Sequence, residues 1–130
     1  MQLVKDPTQF DVLVMEDLYG DLIFDLCAGL VGGLVVLPGA NIGQHHAIFE
    51  AVHGSAPDIA GKGLANPLAC IMNGVMMLQH IHENKAAEKI EKAYNAVLEE
   101  GNPEVLTRDI GGKGSMKSFV DAILKKLYFF

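Results

Sequence analysis

The chain has 130 residues, half of them apolar and a fifth charged, with a net charge of −6. That is the size and balance of one globular domain, neither disordered nor fibrous. The acidic balance, with no basic patch interleaved with aromatics, argues against a nucleic-acid partner. The longest apolar run, Leu26 to Gly39, is too short and glycine-rich to span a bilayer, and the start carries no signal-peptide pattern.

Met1 to Val4 reads as the tail of a helix already under way, and Asp6-Pro7 as a turn. Phe10 to Met15 (FDVLVM) is rich in β-branched and apolar residues, which predicts a buried strand. Glu16 to Gly20 reads as a connection. Leu22, Leu26 and Leu30 recur at intervals of four, so Asp21 to Leu30 is expected to be a helix ended by glycines. Val35 to Leu37 is a short strand, Pro38 to Gly43 (PGANIG) a turn-rich loop, and Ala47 to Ala51 a further strand. Glu50 to Pro67 (EAVHGSAPDIAGKGLANP) follows no helical or strand period in its middle and predicts a long, shaped loop.

Asn66-Pro67 starts a helix, asparagine at the N-cap and proline at the first helical position, running to about His82. Its methionines read as core filler. A second helix covers Lys85 to Glu100, stopped by Gly101. After the irregular stretch Asn102 to Gly114, Ser115 caps a last helix with Phe119, Ile123 and Leu127 on one face. Strands alternating with helices point to an α/β fold, but one whose sheet is incomplete and whose core looks unfinished. Cys27 and Cys70, both in apolar surroundings, read as reduced, buried thiols in a reducing compartment. His45-His46 sits in a turn and reads as solvated, while His80 and His82 close a helix where a partly charged imidazole suits the dipole.

Two groups carry possible chemistry. Asp21 and Asp25 are four apart, which places both carboxylates on one helix face about 5–6 Å apart at Cβ. Such a pair can share a hard divalent cation, or simply oppose the positive end of the helix dipole; spacing leaves both readings open. The loop offers His53, Ser55, Asp58 and Asn66, with glycines that let a backbone approach a ligand. It contains no GxGxxG, so it is not a Rossmann phosphate turn. Asp58 could bond a ribose 2′-hydroxyl, and the alternative is a proline-stiffened surface loop.

The tracts LYGDLIFD (Leu18 to Asp25), PGANIG (Pro38 to Gly43), FEAVHGSAPDIAGKGLANP (Phe49 to Pro67) and LTRDIGG (Leu106 to Gly112) resemble the β-decarboxylating dehydrogenases, nearest the NAD-dependent isocitrate dehydrogenases. The resemblance runs through the whole chain in order. It implies the C-terminal part of the isocitrate/isopropylmalate dehydrogenase-like α/β fold, an incomplete sheet flanked by helices. Residues 1–37 would end the small domain with an interface helix, and 38–130 would form the rest of the large, cofactor-binding domain. By the same resemblance Asp21 and Asp25 hold Mg²⁺ or Mn²⁺ against the substrate, polarising the C2 oxygen during oxidation and decarboxylation. Glu50 matches an acid near the nicotinamide of NAD. His53, Gly54, Ser55, Ala56, Pro57, Asp58 and Ile59 match the adenosine-side loop, Asn66 the adenine contact, and Asp109 a further cofactor position.

Asp58 and Ile59 stand where NADP-using relatives carry lysine and tyrosine, and Gly112 where they carry arginine, although Arg108 matches another phosphate-side position. The balance implies NAD. Asp17, Phe24 and Val35 depart from the family pattern, which has asparagine, serine and glycine there. The family's catalytic tyrosine and lysine, its substrate-clamping arginines and a third metal acid belong to sequence before Met1. The expectation is therefore a small-molecule dehydrogenase portion, without a catalytic residue of its own and inactive alone, that needs a completing chain in a homo- or hetero-oligomer. The compartment would be the cytoplasm in a bacterium or the mitochondrial matrix in a eukaryote. Two alternatives stand beside isocitrate oxidation: a portion of a 3-isopropylmalate, homoisocitrate or tartrate dehydrogenase, and a non-catalytic module that only packs against a partner.

Overall fold

The computed structural model describes residues 1–33 and 37–130. In chain order these form α1 (Gln2–Lys5), a 3₁₀ turn at Pro7–Gln9, α2 (Asp17–Val31), β1 (Pro38–Ile42), β2 (Ala47–Ala51), α3 (Leu68–His80), α4 (Asn84–Glu100), a 3₁₀ turn at Arg108–Ile110, and α5 (Met116–Leu127). The α/β class expected from the alternation holds, with five helices and one small sheet among the described residues.

The core lies where α3, α4 and α5 meet. Leu68 and Val75 from α3, Ala87, Ala93, Tyr94 and Val97 from α4, and Phe119 and Ile123 from α5 form one buried cluster. Each helix owes its limits to local chemistry. Gly101 ends α4 in the left-handed conformation (φ +60°), where L side chains are strained. Ser115 and Ser118 form a reciprocal capping box at the start of α5. The expected start of α3 shifts by one residue: Pro67, whose carbonyl accepts from the Ile71 N–H, is the N-cap rather than the first helical residue, and Asn66 stands just before it, its side-chain oxygen accepting from the Leu68 N–H at 2.9 Å.

PGANIG is not a loop. Pro38 to Ile42 pairs antiparallel with Ala47 to Ala51, from Pro38 opposite Ala51 to Ile42 opposite Ala47. Proline is compatible with the first position of an edge strand, and the turn signal of Pro-Gly was outweighed by pairing and by packing of both strands on α3. A specific bond helps: the Gly39 N–H donates to the side-chain oxygen of Asn73, buried in α3, at 3.0 Å. The true turn is Gly43 to His46, closed by the Gly43 N–H on the His46 carbonyl, with both histidines solvent-exposed.

Two other expectations fail. Phe10 to Met15 forms no strand; Val12 is 78% and Val14 91% exposed, because no neighbouring strand among the described residues offers a ladder. Glu16 to Gly20 is not a plain connection either, since α2 already begins at Asp17. Asp21 and Asp25 therefore sit in the body of α2, which removes the reading that they serve chiefly to oppose its N-terminal dipole. The strand expected at Val35 to Leu37 lies, for Val35 and Val36, outside the described residues.

Candidate functional site

The loop between β2 and α3 is the least regular part of the described chain, and it walls a cavity of about 790 Å³. That volume lies in the range of small-molecule sites, roughly 300–1,000 Å³. The loop leaves β2 through Ala51 and Val52, passes His53 to Ala56 without regular structure, and makes consecutive turns over residues 57–63. The first turn of α3 and the segment Arg108–Asp109 form the opposite wall. Met116, at the head of α5, closes one side and donates its backbone N–H to the Gly63 carbonyl at 2.8 Å.

Of the residues singled out in the sequence, His53, Gly54, Ser55, Ala56, Ile59, Asn66 and Asp109 line this cavity together. The His53 Nδ1–H donates to the Gly54 carbonyl at 2.9 Å, which leaves Nε2 of a neutral ring as an acceptor. Ala56 adopts φ +37°, a costly conformation for a residue with a Cβ, of the kind that concentrates at binding loops. The polar centre of the wall is a pair. Asn66 Nδ2 donates to Asp109 Oδ2 at 2.8 Å, while Asn66 Oδ1 holds the Leu68 N–H.

Pro57 and Asp58 do not line the cavity; Asp58 is exposed on the turn beside Ile59. Glu50 is also outside it, on an exposed face of β2, where its carboxylate accepts from Asn41 Nδ2 at 2.9 Å. Arg108, exposed at the rim, adds one cationic group. Gly112 has no room for any side chain, since a Cβ there would overlap the Leu106 carbonyl oxygen.

Cys70, Leu64 and Met116 are among the lining residues that carried no functional signal in the sequence. Cys70 reads there as a buried thiol, but it is exposed at the first turn of α3 and faces the cavity. Its apolar sequence neighbours pack into the core, and helical geometry turns Cys70 itself outward. Both cysteines are free, with Cys27 half-buried. Leu64 and Met116 supply apolar surface, and Met116 is brought there only by the docking of α5.

Asp21 and Asp25 lie exposed on α2, on an element that takes no part in the cavity wall. Among the described residues there is no group of three or more His, Cys, Asp and Glu able to hold a metal ion. Two carboxylates one helical turn apart fit a magnesium-type shell completed by water and substrate oxygens, but do not close one alone.

Residues 1–123 match the isocitrate/isopropylmalate dehydrogenase family. The chain belongs to that family. It is 50% identical over 129 residues to the mitochondrial isocitrate dehydrogenase [NAD] subunit 2 of Schizosaccharomyces pombe, covering 98% of this chain and 34% of the relative. It is 52% identical over 127 residues to the isocitrate/homoisocitrate dehydrogenase of Thermus thermophilus, covering 98% and 37%. The crystal structure of isocitrate dehydrogenase from Methylococcus capsulatus superposes with a TM-score of 0.89 at 50% identity, over 97% of this chain and 37% of that one. The chain thus spans about a third of the length of the relatives it matches. No helix among the described residues is long and apolar enough to cross a membrane.

Proposed function

We propose that this chain forms the adenosine-binding wall and two metal acids of an NAD-dependent isocitrate dehydrogenase, which converts isocitrate to 2-oxoglutarate by oxidative decarboxylation. Residues 1–37 are the end of the small domain and 38–130 the rest of the large one. The supporting observation is the cavity itself: most of the loop residues implied to touch NAD face one space of small-molecule size, together with Asn66 and Asp109. In this reading Asn66 meets the adenine, His53 to Ile59 enclose the ribose, and Glu50 lies toward the nicotinamide. Asp58, at the rim, repels a 2′-phosphate. Asp21 and Asp25 hold Mg²⁺ or Mn²⁺, which when bound polarises the substrate's C2 oxygen. Neither the acid tyrosine nor the base lysine is assigned to these 130 residues. A bacterial enzyme would act in the cytoplasm and a eukaryotic one in the mitochondrial matrix.

Calorimetric titration of the chain with NAD and NADP tests the cofactor half of the proposal. A single saturable site preferring NAD is expected; no binding, or equal binding, overturns it. Isocitrate-dependent NADH formation with Mn²⁺ is expected to be absent from these 130 residues alone, and turnover would show that they carry the catalytic groups themselves. Homoisocitrate is the second reading, favoured by the 52% identity to the Thermus enzyme whose name includes that substrate. The substrate's distal group is read by residues outside this cavity, so a completed enzyme assayed on both acids separates the two.

A further inference from the structure

Two poor helix formers, Asn73 and Gly74, stand side by side in the middle of α3. Packing accounts for the first only in part. The Asn73 side-chain oxygen accepts from the Gly39 N–H at 3.0 Å and so ties β1 to α3. Its Nδ2, on a residue 5% exposed, has no hydrogen-bond partner among the described residues. No contact requires Gly74: its φ is not positive, and a Cβ there would meet no atom within 4 Å. Asn73 is also the one asparagine of the chain that glycine follows. That dipeptide has a chemistry of its own. A glycine nitrogen, with no Cβ beside it, can attack the asparagine carboxamide carbon and close a succinimide.

We propose that Asn73–Gly74 is a self-modifying site, latent in the folded chain, at which deamidation is gated by the opening of α3. The Gly74 nitrogen loses its proton to solvent base and bonds to Asn73 Cγ; the Cγ–Nδ2 bond breaks and ammonia leaves. Water then opens the succinimide at either carbonyl, giving aspartate or isoaspartate. Nothing is oxidised or reduced, and water is the one co-reactant. The fold holds the reaction back in two ways. Within an α-helix the Gly74 N–H is bonded to the carbonyl four residues earlier, which withdraws the nucleophile. Burial of Asn73 keeps base and water from the carboxamide. Either product disturbs the packing. Aspartate places a carboxylate in a buried site where the Gly39 N–H is the described partner, and isoaspartate inserts a methylene into the helix backbone. Modification therefore loosens the tie between β1 and α3, and the site records each opening that led to it.

The test is peptide mapping of the 130-residue chain after incubation at mildly alkaline pH, in native buffer and in concentrated urea. Aspartate and isoaspartate at position 73 are expected in both, forming at least about tenfold more slowly in native buffer because only the open fraction reacts. Asn84 and Asn95, exposed and followed by Lys85 and Ala96, are expected to stay intact while position 73 converts in urea. Gly74→Ala should slow that conversion at least about tenfold in urea, where the fold gives no protection and the added Cβ alone obstructs the attack. The modified fraction, once separated, should show a lower urea midpoint than the unmodified chain. Equal rates in buffer and in urea overturn the gating by α3. No conversion in urea, conversion no faster than at Asn84 and Asn95, or an alanine variant that converts as fast overturns the site itself. An unchanged midpoint overturns the loosening of β1 from α3.

Discussion

Gly112 illustrates how a single position can be settled by a backbone rather than by a ligand. Its N–H donates to the Thr107 carbonyl at 2.9 Å, and any Cβ would overlap the Leu106 carbonyl oxygen. Gly112→Ala should therefore cost about 2 kcal/mol or more, read as a lower urea midpoint, because backbone must move to relieve the overlap. The same crowding argues against an arginine at this position unless the segment is rebuilt. Asp58 is the converse, an exposed residue free to change. A like charge about 4 Å from a 2′-phosphate is worth roughly 4 kcal/mol at an intermediate effective dielectric. Asp58→Lys with Ile59→Tyr should shift the NADP-to-NAD affinity ratio upward by about tenfold or more in paired titrations, and an unmoved ratio would remove Asp58 as the discriminator. Tyr94 supplies a pH handle. Burial, reinforced by the Glu91 carboxylate, pushes its phenol above the ordinary value. The neutral form is then favoured in the folded state. Its contribution is complete below about pH 10, the unfolded value, and falls as pH rises through the raised folded value. Tyr94→Phe should flatten the alkaline decline in Tm relative to the unmodified chain, with little effect on that slope near neutrality.

At the level of elements, α3 to α5 were legible because their signals are local. Asn66-Pro67, Gly101 and Ser115 each terminate or start a helix through bonds within a few residues. Ser115→Ala should lower stability by about 1 kcal/mol, the usual value of a hydroxyl cap, measured by chemical denaturation. A loss near zero would mean that Ser118, whose hydroxyl also accepts from the Ser115 N–H at 2.8 Å, sustains the helix start alone. Strands behaved differently. FDVLVM has every local mark of a strand and is not one, while PGANI has turn residues and is one. A strand exists only where another strand pairs with it, and pairing is not written in the segment itself.

The whole molecule has a well-packed half and an uncovered one. α3, α4 and α5 share a buried apolar cluster, but α2 has Ala28 as its one buried residue, and Leu18 and Leu22 are 65% and 59% exposed. Tyr128, Phe129 and Phe130 are exposed at the other end. A contiguous apolar helix face of this kind is a contact surface or an aggregation liability. The isolated chain is accordingly expected to associate as concentration rises in light-scattering measurements, and Leu22→Lys with Leu26→Lys should reduce that association. A strictly monomeric chain across the range would count against an interface role for α2.

The sequence by itself determined the α/β class, the helices of the core with their caps, and the family, since periodicity, capping chemistry and contiguous tracts are all properties of neighbouring residues. It also singled out the loop residues that later proved to share a wall. Only the tertiary structure decided that PGANI is a strand, that Asp21 and Asp25 lie within a helix rather than at its head, and that Cys70 and Met116 face the cavity. It alone joined Asn66 to Asp109 across 43 positions, while leaving Glu50 and Asp58 outside the lining. The reason is physical. Hydrogen bonds within a turn or a helix end are encoded within a few residues, whereas a pairing or a cavity wall exists only once distant segments have packed together.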